Sequence, residues 1–212
     1  MLASTFADRV EAGRELAFQL DRFRGRPGLI VLGLPRGGVP VAAEVARLLH
    51  ARLEPFVVRK LGVPGHEELA MGALASGGLR VLQPETIAML GITPDQVAAV
   101  TAAESRELLR REELYRGGHP FPALGGETVI LVDDGVATGA TMLAALRAIR
   151  QRGPATLIAA APVMSKQAFR ALARVADAAV AVIVPDDFHA VGAWYDDFHP
   201  VHDGEVLAAL DP

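Results

Sequence analysis

The sequence contains no cysteine. Disulfide bonding and thiolate chemistry are therefore excluded, a composition that suits a cytoplasmic setting. It also lacks an excess of positive charge: 21 Lys and Arg stand against 25 Asp and Glu, for a net charge of −4. That balance gives no electrostatic case for nucleic acid or an anionic membrane surface as a partner. No apolar run approaches the roughly 20 residues of a membrane-spanning helix, and the first residues lack the apolar centre of a secretory signal. Aromatic residues are scarce, with one Trp and two Tyr. What is present is a chain of 212 residues that is 51% hydrophobic, enough for one domain spanning 1–212 with its own core.

The chain is organised around residues 128–142. Val129, Ile130, Leu131 and Val132 form a short apolar run rich in β-branched residues, the pattern of a buried parallel strand. Asp133 and Asp134 follow at its end. Gly135, Val136, Ala137, Thr138, Gly139, Ala140 and Thr141 make a loop of small and hydroxylated residues, which leads into a helical pattern at Met142, Leu143, Leu146 and Ile149. Small residues admit a ligand to the backbone, and successive amides at a helix N-terminus attract an anion. Carboxylates only accept hydrogen bonds, so Asp133 and Asp134 suit hydroxyl groups or a hydrated metal beside that anion. A phosphate next to a diol describes a ribose 5-phosphate. The loop is not a Walker A loop, because Gly135 and Gly139 are too close together and no lysine follows.

A second unit of the same plan lies upstream. Residues 4–24 read as an amphipathic helix with Phe6, Val10, Ala17, Leu20 and Phe23 on one face and Ser4 or Thr5 as its cap. Residues 29–34 read as a strand that ends in Pro35, Arg36, Gly37 and Gly38, with a helix over 39–50. Two strand–loop–helix units predict a doubly wound parallel sheet whose ligand lies at the strands' carboxyl ends. Arg36 beside two glycines offers a planar cationic fork and exposed amides, which suits a pyrophosphate. The strand expected at 55–58 ends in Arg59 and Lys60; these either face the same anion or form a solvated basic pair. Residues 61–69 read as a loop. Strands follow at 70–75 and 79–82, helices at 84–90 and 93–115, then strands at 156–163 and 178–184 around a helix at 165–175.

Residues 184–198 are acidic, irregular and hold the single Trp. An aromatic can stack on a base and an acid can serve a hydrated cation; the same residues equally suit a flap packed on the core. His189, His199, His202 and Asp203 raise the question of a transition metal, but their spacing is not that of a helical ligand pair.

Residues 129–141 resemble the phosphoribosyl-diphosphate (PRPP) binding motif of the type I phosphoribosyltransferases; adenine enzymes carry a similar Asp-Asp-x-x-Ala-Thr-Gly-Gly-Thr. The resemblance implies that Asp133 and Asp134 hold the ribose hydroxyls as the catalytic pair, and that 135–141 wrap the 5-phosphate. It implies a pyrophosphate site at Arg36, Gly37 and Gly38, with Arg59 and Lys60 near it. The tail is similar to the purine-binding end of hypoxanthine-guanine enzymes, where Ile-Pro-Asp-x-Phe precedes Val-Val-Gly and, four residues beyond the glycine, an aspartate. That likeness assigns Phe188, Val191 and Trp194 to the base and Asp196 to the metal, with one extra residue between Phe188 and Gly192.

The fold implied is α/β, a Rossmann-like central parallel sheet flanked by helices, with a small hood to which 184–212 contribute. The activity implied is phosphoribosyl transfer from PRPP to a nitrogenous base, with Mg2+ as cofactor, in a cytoplasmic homodimer. The alternative is a regulator on the same fold that binds PRPP or a nucleotide without turnover; transfer to water is a third reading. Ala137 stands where hypoxanthine-guanine enzymes have an aspartate at the purine. The acceptor expected is therefore adenine-like or not a common purine, with Glu67, Glu68, Asp186 or Asp187 as substitute carboxylates.

Overall fold

The structure, a computed structural model, describes residues 5–211. In chain order, α1 (Arg9–Gln19) leads to β1 (Leu29–Gly33), α2 (Gly38–Leu49) and β2 (Arg52–Pro55). An inserted unit follows: β3 (Val58–Val63), β4 (His66–Ala75), β5 (Leu79–Leu82), α3 (Pro84–Met89) and α4 (Pro94–Arg116). The chain then returns through β6 (Thr128–Val132), α5 (Ala140–Arg150), β7 (Thr156–Val163), α6 (Lys166–Leu172) and β8 (Ala178–Ile183), and ends its regular structure in α7 (Asp203–Leu210).

Five strands form one sheet in the order β2-β1-β6-β7-β8, all parallel. Alternate residues of each strand leave on opposite faces. Leu29, Val31, Ile130, Val132, Ile158 and Ala160 pack against α1 and α2 through Leu16, Ala17, Val41 and Val45. Ile30, Leu32, Val129, Leu131, Leu157 and Ala159 pack against α5 and α6 through Met142, Leu146, Ile149 and Leu172. Both faces are covered, which is why these strands read as continuous apolar runs. The α/β class and the parallel sheet expected from the sequence are those observed.

β3, β4 and β5 form a separate antiparallel sheet. Two readings change here. The strand expected at 55–58 is instead two strands, with Phe56 and Val57 buried at the corner between the sheets. The loop expected at 61–69 is a hairpin that turns at Gly65, whose φ is +76°. Its outer end carries exposed His66, Glu67 and Glu68, so the apolar alternation that marks a strand is missing there. Glu54 of β2 is buried against Arg116 at the end of α4: Oε2 accepts from both terminal guanidinium nitrogens, Nη2 at 2.8 Å.

The first helix starts later than expected. Asp8 caps it, its carboxylate accepting from the Glu11 amide at 2.8 Å. Ser4 lies outside the described residues, and Thr5 donates to Asp196 instead of capping. Phe6 is buried but precedes the helix, while Val10 is 37% exposed. The buried face is Arg9, Ala12, Gly13, Leu16 and Ala17. Residues 6–7 pair with the tail: the Phe6 amide donates to Trp194 O, and the Asp196 and Asp197 amides donate to Phe6 O and Ala7 O.

Candidate functional site

β1 and β6 lie side by side in register, Gly33 beside Val132. From β1 the chain crosses to β2 on one side; from β6 it crosses to β7 on the other. The sheet's switch point, where open α/β folds bind ligands, thus falls between these two strand ends. The 34–38 loop and the 133–139 loop meet there.

Their approach needs glycine. A β-carbon on Gly38 would fall 2.8 Å from Asp133 Cα and from Val132 O. Asp133 Oδ1 accepts from the Asp134 amide at 2.9 Å, and Asp134 Oδ2 accepts from Arg9 Nε at 2.9 Å. Among the described residues Asp133 Oδ2 and Asp134 Oδ1 accept nothing, so each carboxylate keeps one oxygen for a ligand. Burial pushes the Asp133 carboxyl well above the usual range, and the Asp134 charge adds to it. Burial raises Asp134 too, against the lowering effect of Arg9. The Tyr195 hydroxyl donates to Asp134 O at 2.5 Å; burial, then the Asp134 charge, holds that phenol protonated.

The 135–139 loop is anchored from one side and open on the other. Val136 is buried; its amide donates to Val163 O at 2.9 Å and its carbonyl accepts from the Ser165 amide. Ser165 Oγ donates to Ala137 O at 2.6 Å. Thr138 Oγ1 accepts from the Ala140 amide at 3.5 Å. Among the described residues the amides of Ala137, Thr138 and Gly139 have no acceptor. Gly139 turns the chain at φ +79° into α5, so these amides cluster at the positive end of an 11-residue helix. This is an anion-binding nest, with Ala140 and Thr141 in the helix's first turn. Of the seven loop residues Val136 and Gly139 are buried, and Val136 alone adds a side chain to the core.

Arg36 is half exposed, with Nη1 3.9 Å from Asp203 Oδ1; Asp203 also accepts from the Tyr115 hydroxyl at 2.6 Å. Arg59 and Lys60 are not at a strand end. They are neighbours within β3 and face opposite ways, as strand geometry requires. Arg59 pairs with Glu104 of α4 at 2.7 Å. Lys60 donates to Glu68 O at 3.2 Å and lines a cavity of about 280 Å³ that Ala140, Thr141 and Arg147 of α5 also border. Of Arg59 and Lys60, only Lys60 borders the cavity at the start of α5.

In the tail, Phe188, Val191, Trp194 and Phe198 pack around Phe6 and Tyr195. Val191 covers Gly135 so closely that a β-carbon there would lie 2.2 Å from its Cγ1. Asp196 is exposed, with Oδ1 accepting from Thr5 Oγ1 at 2.8 Å and Oδ2 without a partner among the described residues. It is a hard oxygen donor that suits Mg2+. Among the described residues no three His, Asp or Glu gather as a metal cage. His199 instead bridges Asp197 and Glu205, and Glu205, then Asp197, raises its pKa.

Arg9, Tyr195 and Tyr115 were not singled out by the sequence, and Asp203 was raised only as a metal ligand, not as the partner of Arg36 and Tyr115. One signal for Arg9 exists: it falls on the apolar face of α1 with Ala12, Gly13 and Leu16, and a buried cation requires a partner.

Comparison with known proteins agrees with this geometry. The phosphoribosyl transferase domain family matches residues 5–196. The crystal structure of TT1426 from Thermus thermophilus is 45% identical, with a TM-score of 0.87 over 97% of each chain. Two Mycobacterium tuberculosis proteins, named "Putative phosphoribosyl transferase Rv0571c" (strain H37Rv) and "Putative phosphoribosyl transferase MT0597" (strain CDC 1551), are each 43% identical over 206 residues. The chain spans 46% of the length of each of these two relatives. A parallel sheet with an acidic pair beside an amide nest at its switch point, and a family match across that whole region, lead to one conclusion: the chain belongs to the phosphoribosyl transferase domain family.

Proposed function

We propose that the protein transfers the 5-phosphoribosyl group of PRPP to a nitrogenous base and releases pyrophosphate. The observation that carries this reading is the pairing of two carboxylates, each with one free oxygen, with an amide nest three residues further on. The free oxygens suit the two ribose hydroxyls and the nest suits the 5-phosphate. In the reaction the bond from ribose C1 to the pyrophosphate oxygen breaks, a C1–nitrogen bond forms, and the base loses a proton. Such a reaction rests on positioning and charge neutralisation rather than a covalent nucleophile.

Arg36 is half exposed and only loosely engaged by Asp203, so it can turn to the pyrophosphate across the Gly37–Gly38 backbone. Lys60 and Arg147 are cations that border the cavity at the first turn of α5, next to the nest. Phe188, Val191 and Trp194 would shape the base pocket, with 184–212 contributing to a hood on a single domain. Asp196 suits a Mg2+ ion held otherwise by substrate and water, which is usual for this metal; the ion would neutralise charge on the leaving pyrophosphate. A homodimer in the cytoplasm belongs to the same reading. Among the described residues no helix is long and apolar enough to cross a membrane.

Ala137 offers no carboxylate to a purine. Of the substitutes, Asp186 is engaged by Lys166, which leaves Asp187 and the outer-hairpin acids Glu67 and Glu68. The acceptor is therefore adenine or a base outside the 6-oxopurines. Pyrophosphate release from Mg-PRPP, measured with adenine, hypoxanthine, guanine, xanthine, uracil and orotate, tests the reading. Turnover with adenine or a pyrimidine is expected, and robust turnover of hypoxanthine or guanine would remove the argument from Ala137. PRPP binding without release from any base would make the protein a sensor, and release without a base would make it a hydrolase.

A further inference from the structure

Arg9 is a cation that the reaction chemistry above does not use, yet it sits at the centre of the site. Its side chain is 8% exposed. Nε donates to Asp134 Oδ2 at 2.9 Å, and Nη1 donates to His199 O at 2.9 Å. The guanidinium carbon lies 4.0 Å from the centre of the Phe198 ring. One group thus joins three segments: the start of α1, the end of β6 and the tail.

We infer that Arg9 is a positioning residue for ribose. It holds Asp134 so that Oδ1 faces the ligand, and it locks the tail against that carboxylate. The inference rests on the phosphoribosyl reading, because it assigns Oδ1 to a ribose hydroxyl. The geometry is specific. Nε and Nη1 of a planar guanidinium point in fixed directions, and here each meets a different acceptor. Lysine can supply the charge but not both directions while its stem lies over Phe198. A carboxylate free to rotate about its Cβ–Cγ bond would lose the alignment that presents one oxygen to the diol.

The surroundings make Arg9 hard to replace. Asp133 stands beside Asp134, and among the described residues no other cation is ion-paired to either acid. Gly37 closes the remaining side, since a β-carbon there would lie 3.3 Å from Arg9 Nε. Glu54 and Arg116 supply an internal contrast, being equally buried but joined only to scaffold.

The test uses isothermal titration calorimetry with ribose 5-phosphate and, separately, with pyrophosphate, on wild type, Arg9→Lys, Arg9→Met and Asp134→Asn. Arg9→Met is expected to weaken ribose 5-phosphate by about tenfold or more, the scale of one charge-assisted hydrogen bond, and to leave pyrophosphate within about twofold. Arg9→Lys is expected to fall between wild type and Met. In an Asp134→Asn background the Arg9→Met loss should largely vanish, because both changes remove the same contact. Should Arg9→Met fail to fold, Arg9→Lys and Asp134→Asn carry the comparison. Undiminished ribose 5-phosphate affinity in Arg9→Lys or Arg9→Met, or equal losses for both ligands, would overturn the inference. Failure of the wild type to bind ribose 5-phosphate at all would overturn the phosphoribosyl reading and this inference with it.

Discussion

Gly37 and Asp134 stand so close that a β-carbon built on Gly37 would fall 2.0 Å from Asp134 Oδ2. That oxygen is already fixed by Arg9, so the carboxylate must turn if a methyl enters. Gly37→Ala should therefore weaken ribose 5-phosphate while leaving the melting temperature near that of wild type. At Gly38 the neighbours are main-chain atoms of Val132 and Asp133, which cannot step aside. Gly38→Ala should cost about 1–3 kcal/mol of stability, as overpacking does. Calorimetry paired with urea melts separates the two; equal stability losses would show that the loops give way together.

The acidic pair should make the protein less stable as pH rises. Both carboxyls ionise above the ordinary 3.8 in the folded state, through burial first. In the unfolded chain they ionise near that value, so between the two pKa ranges the folded state holds more protons. Stability is then full below the unfolded pKa and declines as pH climbs through the folded one. Asp133→Asn removes the larger part of the effect, leaving that of Asp134. The variant should melt above wild type at about pH 8, with the gap closing towards about pH 4. A wild type that melts higher than Asp133→Asn at the upper pH would refute this.

Arg116 and Glu54 should matter to stability and not to ligand. Removing one member leaves an uncompensated buried charge, so Arg116→Met should cost about 3–5 kcal/mol in urea unfolding. Ribose 5-phosphate and pyrophosphate affinities of the folded variant should match wild type. A selective loss of either would tie this pair to the site.

Ser165 serves two elements at once. Its hydroxyl accepts from the Ala168 amide at 3.0 Å, capping α6, and donates to Ala137 O at 2.6 Å, fixing the nest. Ser165→Ala should cost about 1 kcal/mol through the cap and should also weaken inorganic phosphate binding. Substitution by Asp would keep the cap and lose the donor. If Ser165→Asp binds phosphate as wild type does, the nest does not depend on this bond.

The parts of the site that were legible in the sequence are those built locally. Residues 129–141 carry strand, acids, nest and helix start in one continuous stretch, and apolar runs buried on both faces declare a parallel sheet. The loop that carries Arg36, Gly37 and Gly38 was legible in the same way, as a strand end running straight into a helix. The placement of Arg59 and Lys60 at a strand end was misread because the end of a strand depends on what pairs with it, and β3 continues through its pairing with β4. The outer hairpin was missed because its side chains face solvent and carry charge. Arg9 escaped notice because its partner, Asp134, lies 125 residues away; its place on the apolar face of α1 was the only local trace.

Thr5 and Asp196 are 191 residues apart in the chain, and Arg9 and His199 are 190 apart. Closing a loop of that length costs about 4–5 kcal/mol of chain entropy, so these contacts form only once the sheet has brought their ends together. On a ribosome, β1 and β6 emerge and can pair while residues 194–199 have yet to be made. The Arg9–Asp134 bond can form then too, whereas the Val163 and Ser165 anchors of the nest come later and the contact of Arg9 with His199 O comes last. On the proposed reading, the ribose end of the site is therefore the last part to be locked, when the tail closes over Arg9.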